Sequence, residues 1–160
     1  MTAVKSKPIA IVTPWFGPEL KGGAEQHAWQ IATRLAARGH DVEVLTTCCK
    51  SFADDWSQNF YKEGQTDESG VLVRRFPVDP RNLQQFDKLN SSLLSSRLLK
   101  PGVSPTDDQG NAVWRDENIN SDAMEQYLAT RQADYHAFIF LPYLYGIVLR
   151  GLPIVAQEQS

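Results

Sequence analysis

Two adjacent glycines, Gly22 and Gly23, stand between a short apolar run and a helical pattern, and their type and spacing suit ligand chemistry. Glycine lets a ligand come close to the backbone, and the first turn of a helix offers free N–H groups with a partial positive charge. Together they fit a diphosphate or another anion. The same pair serves equally well to turn the chain into the helix, and spacing alone does not separate the two readings. The better-known phosphate loops do not fit. No G-x-G-x-x-G follows the first strand, the second strand ends Leu45-Thr46-Thr47 without an acidic residue for a ribose, and no G-x-x-x-x-G-K-[ST] occurs. These absences argue against a nicotinamide dehydrogenase, a short-chain epimerase and a P-loop NTPase. There is also no G-x-S-x-G elbow and no D-x-D pair, which disfavours an α/β-hydrolase and a metal-bound nucleotide site of that kind.

The remaining reactive side chains are weaker signals. His27 lies near the apolar stripe of the first helix; it suits donation to a phosphate, and suits partly buried packing better. His40 follows a capping glycine and reads as solvated or capping, while His136 precedes a strand with no cysteine or carboxylate cluster beside it. No metal site is expected. Cys48 and Cys49, just past a strand end, read as inert thiols without a nearby base. Arg74 and Arg75 read as one exposed and one edge charge.

The elements that position these residues follow from periodicity. Pro8 to Thr13 is short, continuous and β-branched, as in a strand buried on both faces. From Ala24 the pattern turns helical: Ala24, Ala28, Ile31, Ala32 and Leu35 share a stripe, and Gly39 stands where a left-handed cap is wanted. Asp41 to Thr46 alternates into a second strand, which predicts a right-handed unit with parallel strands. Ser51 to Gly70 reads as a polar loop carrying at most a short helical turn. Val71 to Phe76 reads as a strand, Arg81 to Leu99 as an amphipathic helix, and Val103 to Asn120 as a long irregular segment of the kind that is functional or mobile. Ser121, Asp122 and Glu125 signal a helix start, with the helix running to Arg131. Ala137 to Leu141 predicts a buried strand, Tyr143 to Arg150 a short helix, and Ile154 to Ala156 a last strand. Strands alternating with helices predict an α/β domain with a parallel sheet covered by helices on both faces.

Composition narrows the class further. A chain of 160 residues, 42% hydrophobic and 10% aromatic, can bury a core and is unlike a disordered segment. The formal net charge of −3 argues against nucleic acid as a partner. The longest apolar run, Phe138 to Leu149, is broken by Pro142 and Gly146 and is too short to span a bilayer. With no export signal and adjacent cysteines, the expected setting is cytoplasmic.

Gly22-Gly23-Ala24-Glu25, then Ile31 and Leu35, then Arg38-Gly39-His40-Asp41-Val42 and Val44-Leu45-Thr46, carry a family resemblance. The stretch resembles the first strand–helix–strand of nucleotide-sugar glycosyltransferases built from two Rossmann-like domains (the GT-B fold), specifically the retaining family 4. Phe140 to Gly146 with Gly151 to Val155 is similar to a later part of the same domain, while from Ser51 to Tyr135 the likeness is only topological. The resemblance implies the N-terminal, acceptor-side domain over residues 1–160, cut before its end, with the C-terminal donor-binding domain missing. It implies transfer of a hexose-type sugar from a nucleotide sugar to a glycan or lipid-linked acceptor, with no cofactor or metal and with peripheral membrane contact allowed. Gly22 and Gly23 match the donor diphosphate loop. Trp15, Phe16, Glu25, His27, Tyr143 and Tyr145 are the acceptor-side candidates, although Phe16 and Tyr143 serve equally as core residues. The family's donor-binding glutamate pair belongs to the missing domain; Glu117 and Glu125 have its spacing, with seven residues between them, but lack its glycine-rich context. No catalytic residue is assigned, and the chain alone is expected to be inactive. Two alternatives stand beside this one: a non-catalytic glycosyltransferase-like binding module, and a nucleotide-sugar epimerase of the two-domain type.

Overall fold

A computed structural model describes residues 6–96 and 100–156. Five strands form one sheet in the order β3-β4-β2-β1-β5: β1 Ile9–Val12, β2 Val42–Thr47, β3 Gly64–Glu68, β4 Val71–Phe76 and β5 Ala137–Phe140. β1, β2, β4 and β5 run parallel, whereas β3 pairs antiparallel with β4. Five helices cover them: α1 Gly23–Ala37, α2 Leu83–Ser95, α3 Asp108–Asp116, α4 Asp122–Arg131 and α5 Gly146–Ala156. The α/β architecture expected from the alternation, Rossmann-like as the family resemblance implies, is the one observed, with a mixed rather than wholly parallel sheet.

The pleat sorts strand residues between two cores. Ile11, Val44 and Val73 are register partners and fully buried, and they pack with Ala28 and Ala32 of α1 on one face. Small residues on the helix let its backbone close onto the sheet, and each such buried aliphatic contributes roughly 1.5–3 kcal/mol. Ala10, Val12 and Leu45 point to the opposite face, against Met124 and Leu128 of α4 and Ile147 and Val148 of α5. The helix ends obey local chemistry. Ser121 caps α4 by accepting from the Met124 N–H, and Gly39, at φ 85°, lets α1 end with its N–H donating to the Ala36 carbonyl at 2.9 Å.

Five expectations need correction. Ser51 to Gly70 contains strand β3, whose five residues are Gly-Gln-Thr-Asp-Glu; no apolar pattern announces it, and its pairing to β4 makes it a strand. The segment expected to be irregular holds helix α3, started by Asp107, whose carboxylate accepts from the Gly110 N–H. The last strand does not form. Gly146 to Ala156 is one helix that runs through Gly151 and Pro153, with Pro153 exposed in its final turn. Gly151 belongs there because a Cβ would meet Leu128 Cδ1 at 3.0 Å, so the glycine marks close packing on α4 rather than a break. The helix expected over 81–99 begins later, at Leu83, and is described to Ser95; 97–99 lie outside the described residues.

The fifth correction concerns the strand arginines. Arg75 is buried: its guanidinium donates to the carbonyls of Phe16 (2.9 Å) and Thr47 (3.3 Å), pairs with Glu68 (3.0 Å) and lies over the Tyr61 ring. Arg74 is half-buried and donates to the buried Glu43 carboxylate at 2.8 Å, which also accepts from the Tyr135 hydroxyl at 2.6 Å. Glu68 and Gln65 of β3 reach these two clusters, which explains why so polar a segment takes a strand position.

Candidate functional site

The parallel strands all end on one edge, where the β1–α1 loop, the segments after β2 and β4, and the β5–α5 turn meet. Ligands of such sheets bind in the crevice beyond these carboxyl ends. A crevice of about 560 Å³ opens there, with Gly22, Gly23 and Glu25 on one side and Ser51, Phe52 and Tyr145 on the other. Gly22 is the N-cap of α1 in extended conformation, with no side chain capping the helix, and Gly23 is its first residue. The two glycines differ. A Cβ on Gly23 would meet nothing within 4 Å, whereas one on Gly22 would meet the Glu25 carboxylate at 2.0 Å. Glu25 thus folds back over the helix start, the place where a carboxylate is favoured by the helix dipole. Lys21 and Glu19 complete the charged rim.

Beneath the crevice lies a cluster of four aromatic rings. Trp15 contacts Tyr145, Trp56 and Phe52 with centroids 4.9, 5.7 and 5.8 Å apart. Phe52 and Trp56 also touch at 5.7 Å, and the Trp56 indole N–H donates to the Phe52 carbonyl at 3.0 Å. Trp15 is the base of the cluster, 1% exposed, with its indole N–H directed at Cys49 Sγ, while Phe52 is 57% exposed and forms the outer wall. Burial and the nearby Glu25 carboxylate push the Tyr145 phenol up, so it is a neutral donor at the crevice wall.

The residues singled out in the sequence therefore separate. Gly22, Gly23, Glu25 and Tyr145 line one crevice. Trp15 supports it from below. Phe16 is buried in the α1 core against Trp29, with centroids 5.1 Å apart, and does not reach the crevice. Tyr143 is 77% exposed and His27 is exposed, and neither lines this crevice. Phe52 and Trp56 were missed. They lie in a polar stretch with no period of its own, and only their aromatic character among charges could have flagged them.

Cys48 and Cys49 are buried free thiols; burial pushes Cys48 up to about 11 and raises Cys49 as well, which fits an inert rather than a nucleophilic role. Among the described residues no group of three or more His, Cys, Asp or Glu side chains is placed to hold a metal ion, and no helix is long and apolar enough to cross a membrane.

A doubly covered α/β sheet with its crevice at the carboxyl ends of parallel strands defines a Rossmann-like binding domain. Over residues 22–112 the chain matches the profile of the glycosyl transferase 4-like domain, and it belongs to that family. No curated protein and no solved structure matched it. The matched span takes in the glycine loop, Phe52, Trp56 and the strand arginines.

Proposed function

We propose that this chain is the acceptor-side domain of a GT-B glycosyltransferase that moves a sugar from a nucleotide sugar to a glycan or lipid-linked acceptor. The observation that carries the reading is one crevice that joins a helix N-terminus, opened by two glycines, to the aromatic wall of Phe52 and Tyr145. The unfilled space over Gly23 admits a phosphate oxygen close to the backbone, and the first N–H groups of α1 neutralise it. Glu25 covers the neighbouring Gly22 in the free protein, so a diphosphate reaching across both glycines enters as the Glu25 carboxylate swings aside. In this scheme a second α/β domain brings most of the nucleotide contacts, and closure of the two excludes water around the departing diphosphate. The 160-residue chain by itself is then expected to turn over no sugar.

Titration with uridine and guanosine diphosphates, read by amide shifts of Gly22, Gly23 and Glu25, tests this. Shifts confined to those amides are expected, weakened by Gly23→Ala, which leaves the free protein folded because the added methyl meets nothing. Saturable binding of NAD in preference to either diphosphate would overturn the reading. Glu25 over Gly22 also favours one alternative, a glycan-binding module without transfer, which predicts glycan binding with no diphosphate response at all.

A further inference from the structure

Phe52 and Ala53 divide the crevice from a second cavity of about 430 Å³ on the same edge of the sheet, lined by Trp56, Arg81, Phe86, Asp87 and Asn90. Arg81 is its unusual member. Its guanidinium lies over both the Trp56 and the Phe86 rings, 4.8 Å from each centroid, and Nε is enclosed by protein. Among the described residues it has neither an ion pair nor a hydrogen-bond acceptor. The arginines of the sheet, Arg74 and Arg75, have both. Burial pushes its charged form out of favour, against the pull of Asp87 and Asp55. A half-buried guanidinium without an acceptor is costly unless something else supplies one.

We propose that this cavity is a sugar-ring subsite for a neutral, hydroxyl-rich glycan, with Arg81 donating to ring or hydroxyl oxygens and Phe52 and Trp56 as the stacking faces. The inference rests on the acceptor-side reading above and names the acceptor's chemistry. Flat aromatic faces suit the C–H face of a pyranose. A hydroxyl both gives and takes a hydrogen bond, and the lining supplies both kinds of partner. Arg81 and Asn90 donate; Asp54, Asp55 and Asp87 accept. Charge decides between a neutral and an anionic ligand. Three carboxylates against one guanidinium give the cavity a net negative wall, which repels a phosphate or a uronate and leaves an uncharged glycan favoured. Phe52 belongs to both cavities, so a chain held over Arg81 has its next ring beside Tyr145 and the glycine loop.

The test is a titration of the 160-residue chain with neutral gluco-, galacto- and manno-trisaccharides, with trigalacturonate and inorganic phosphate as anionic probes. The Trp56 indole N–H and the Gly22 and Gly23 amides are read by NMR. At least one neutral trisaccharide is expected to shift the Trp56 indole saturably, about tenfold more tightly than either anion, and Arg81→Gln is expected to weaken it about tenfold. Should Arg81→Gln fail to fold, Phe52→Ala, which alters an exposed ring, must weaken binding in the same way. Shifts confined to Gly22 and Gly23, or tighter binding of trigalacturonate or phosphate, would overturn the inference and leave the proposed function standing. Silence at every resonance with every glycan and with the diphosphates would overturn both.

Discussion

Two of the regions of the molecule that hold arginine, the sheet and its carboxyl edge, are built to opposite rules. Inside the sheet, Arg74 and Arg75 each meet a carboxylate, Glu43 and Glu68, and the surrounding groups complete the pairing: Tyr135 donates to Glu43 and shares a hydrogen bond of 2.7 Å with Tyr127. At the carboxyl edge, Arg81 has aromatic faces and open volume in place of a counter-ion. Buried polar groups fully paired with one another are a structural device. One left without a partner beside a cavity is an opening for a ligand. The difference teaches where to look in this fold: at the arginine lacking a carboxylate rather than at the ones that have it.

Substitutions that break each region separate the two rules. The largest effect is expected from Gly146→Ala. A Cβ there would meet Asn120 Oδ1 at 2.0 Å and the Ile119 carbonyl at 2.6 Å, so backbone must move, and chemical denaturation should show a loss of about 3 kcal/mol or more. Because Tyr145 precedes it, the aromatic wall should shift as well, visible in the near-ultraviolet dichroism.

Glu43→Ala comes next. It strips Arg74 and Tyr135 of their acceptor deep in the sheet and should cost about 3 kcal/mol in the same assay. Arg81→Gln sharpens the contrast: it removes an unpaired cation and loses only its contacts with two rings, so stability should stay within about 1 kcal/mol of the parent. A loss as large as that of Glu43→Ala would erase the distinction between the two regions.

Cys48 gives a pH signature. Its thiol is raised from 9.0 to about 11 by burial, so the folded state holds its proton more tightly than the unfolded chain. That contribution is fully present below about pH 9 and is lost as pH rises toward 11, so the denaturation midpoint should fall across that window. Alkylation at pH 8 should be much slower in the native protein than in denaturant. The smallest effect is expected from Tyr143→Ala, whose ring is 77% exposed and which should change stability by less than about 0.5 kcal/mol.

What was legible in the sequence was whatever carried its own local signal. Ile9 to Val12 is a continuous apolar run, Val71 to Val73 opens a second one, and Ser121 with Glu125 marks a helix start by capping chemistry, so these elements could be read directly. β3 could not, because its place rests on polar contacts without a pattern of their own, Gln65 to Glu43 on β2 and Glu68 to Arg75 across the hairpin. α5 was divided because Gly151 and Pro153 look like punctuation, whereas Gly151 answers to the width of Leu128 and Phe140. The candidate site followed the same pattern. Gly22 and Gly23 stood out through their dipeptide, but Phe52 and Trp56 are a local pair in a polar stretch that Arg81 joins only through the fold.

The two margins of the sheet have different fates in contact with other polypeptide. β3 presents an exposed run bearing Asp67, and charge on a border strand discourages further pairing. β5 bonds to β1 on one side, and next to it Phe138, Phe140, Leu152 and Val155 line a trough of about 440 Å³. Growth of this sheet therefore has a direction: an added strand, whatever chain supplies it, finds a template beside β5 and a barrier beside β3.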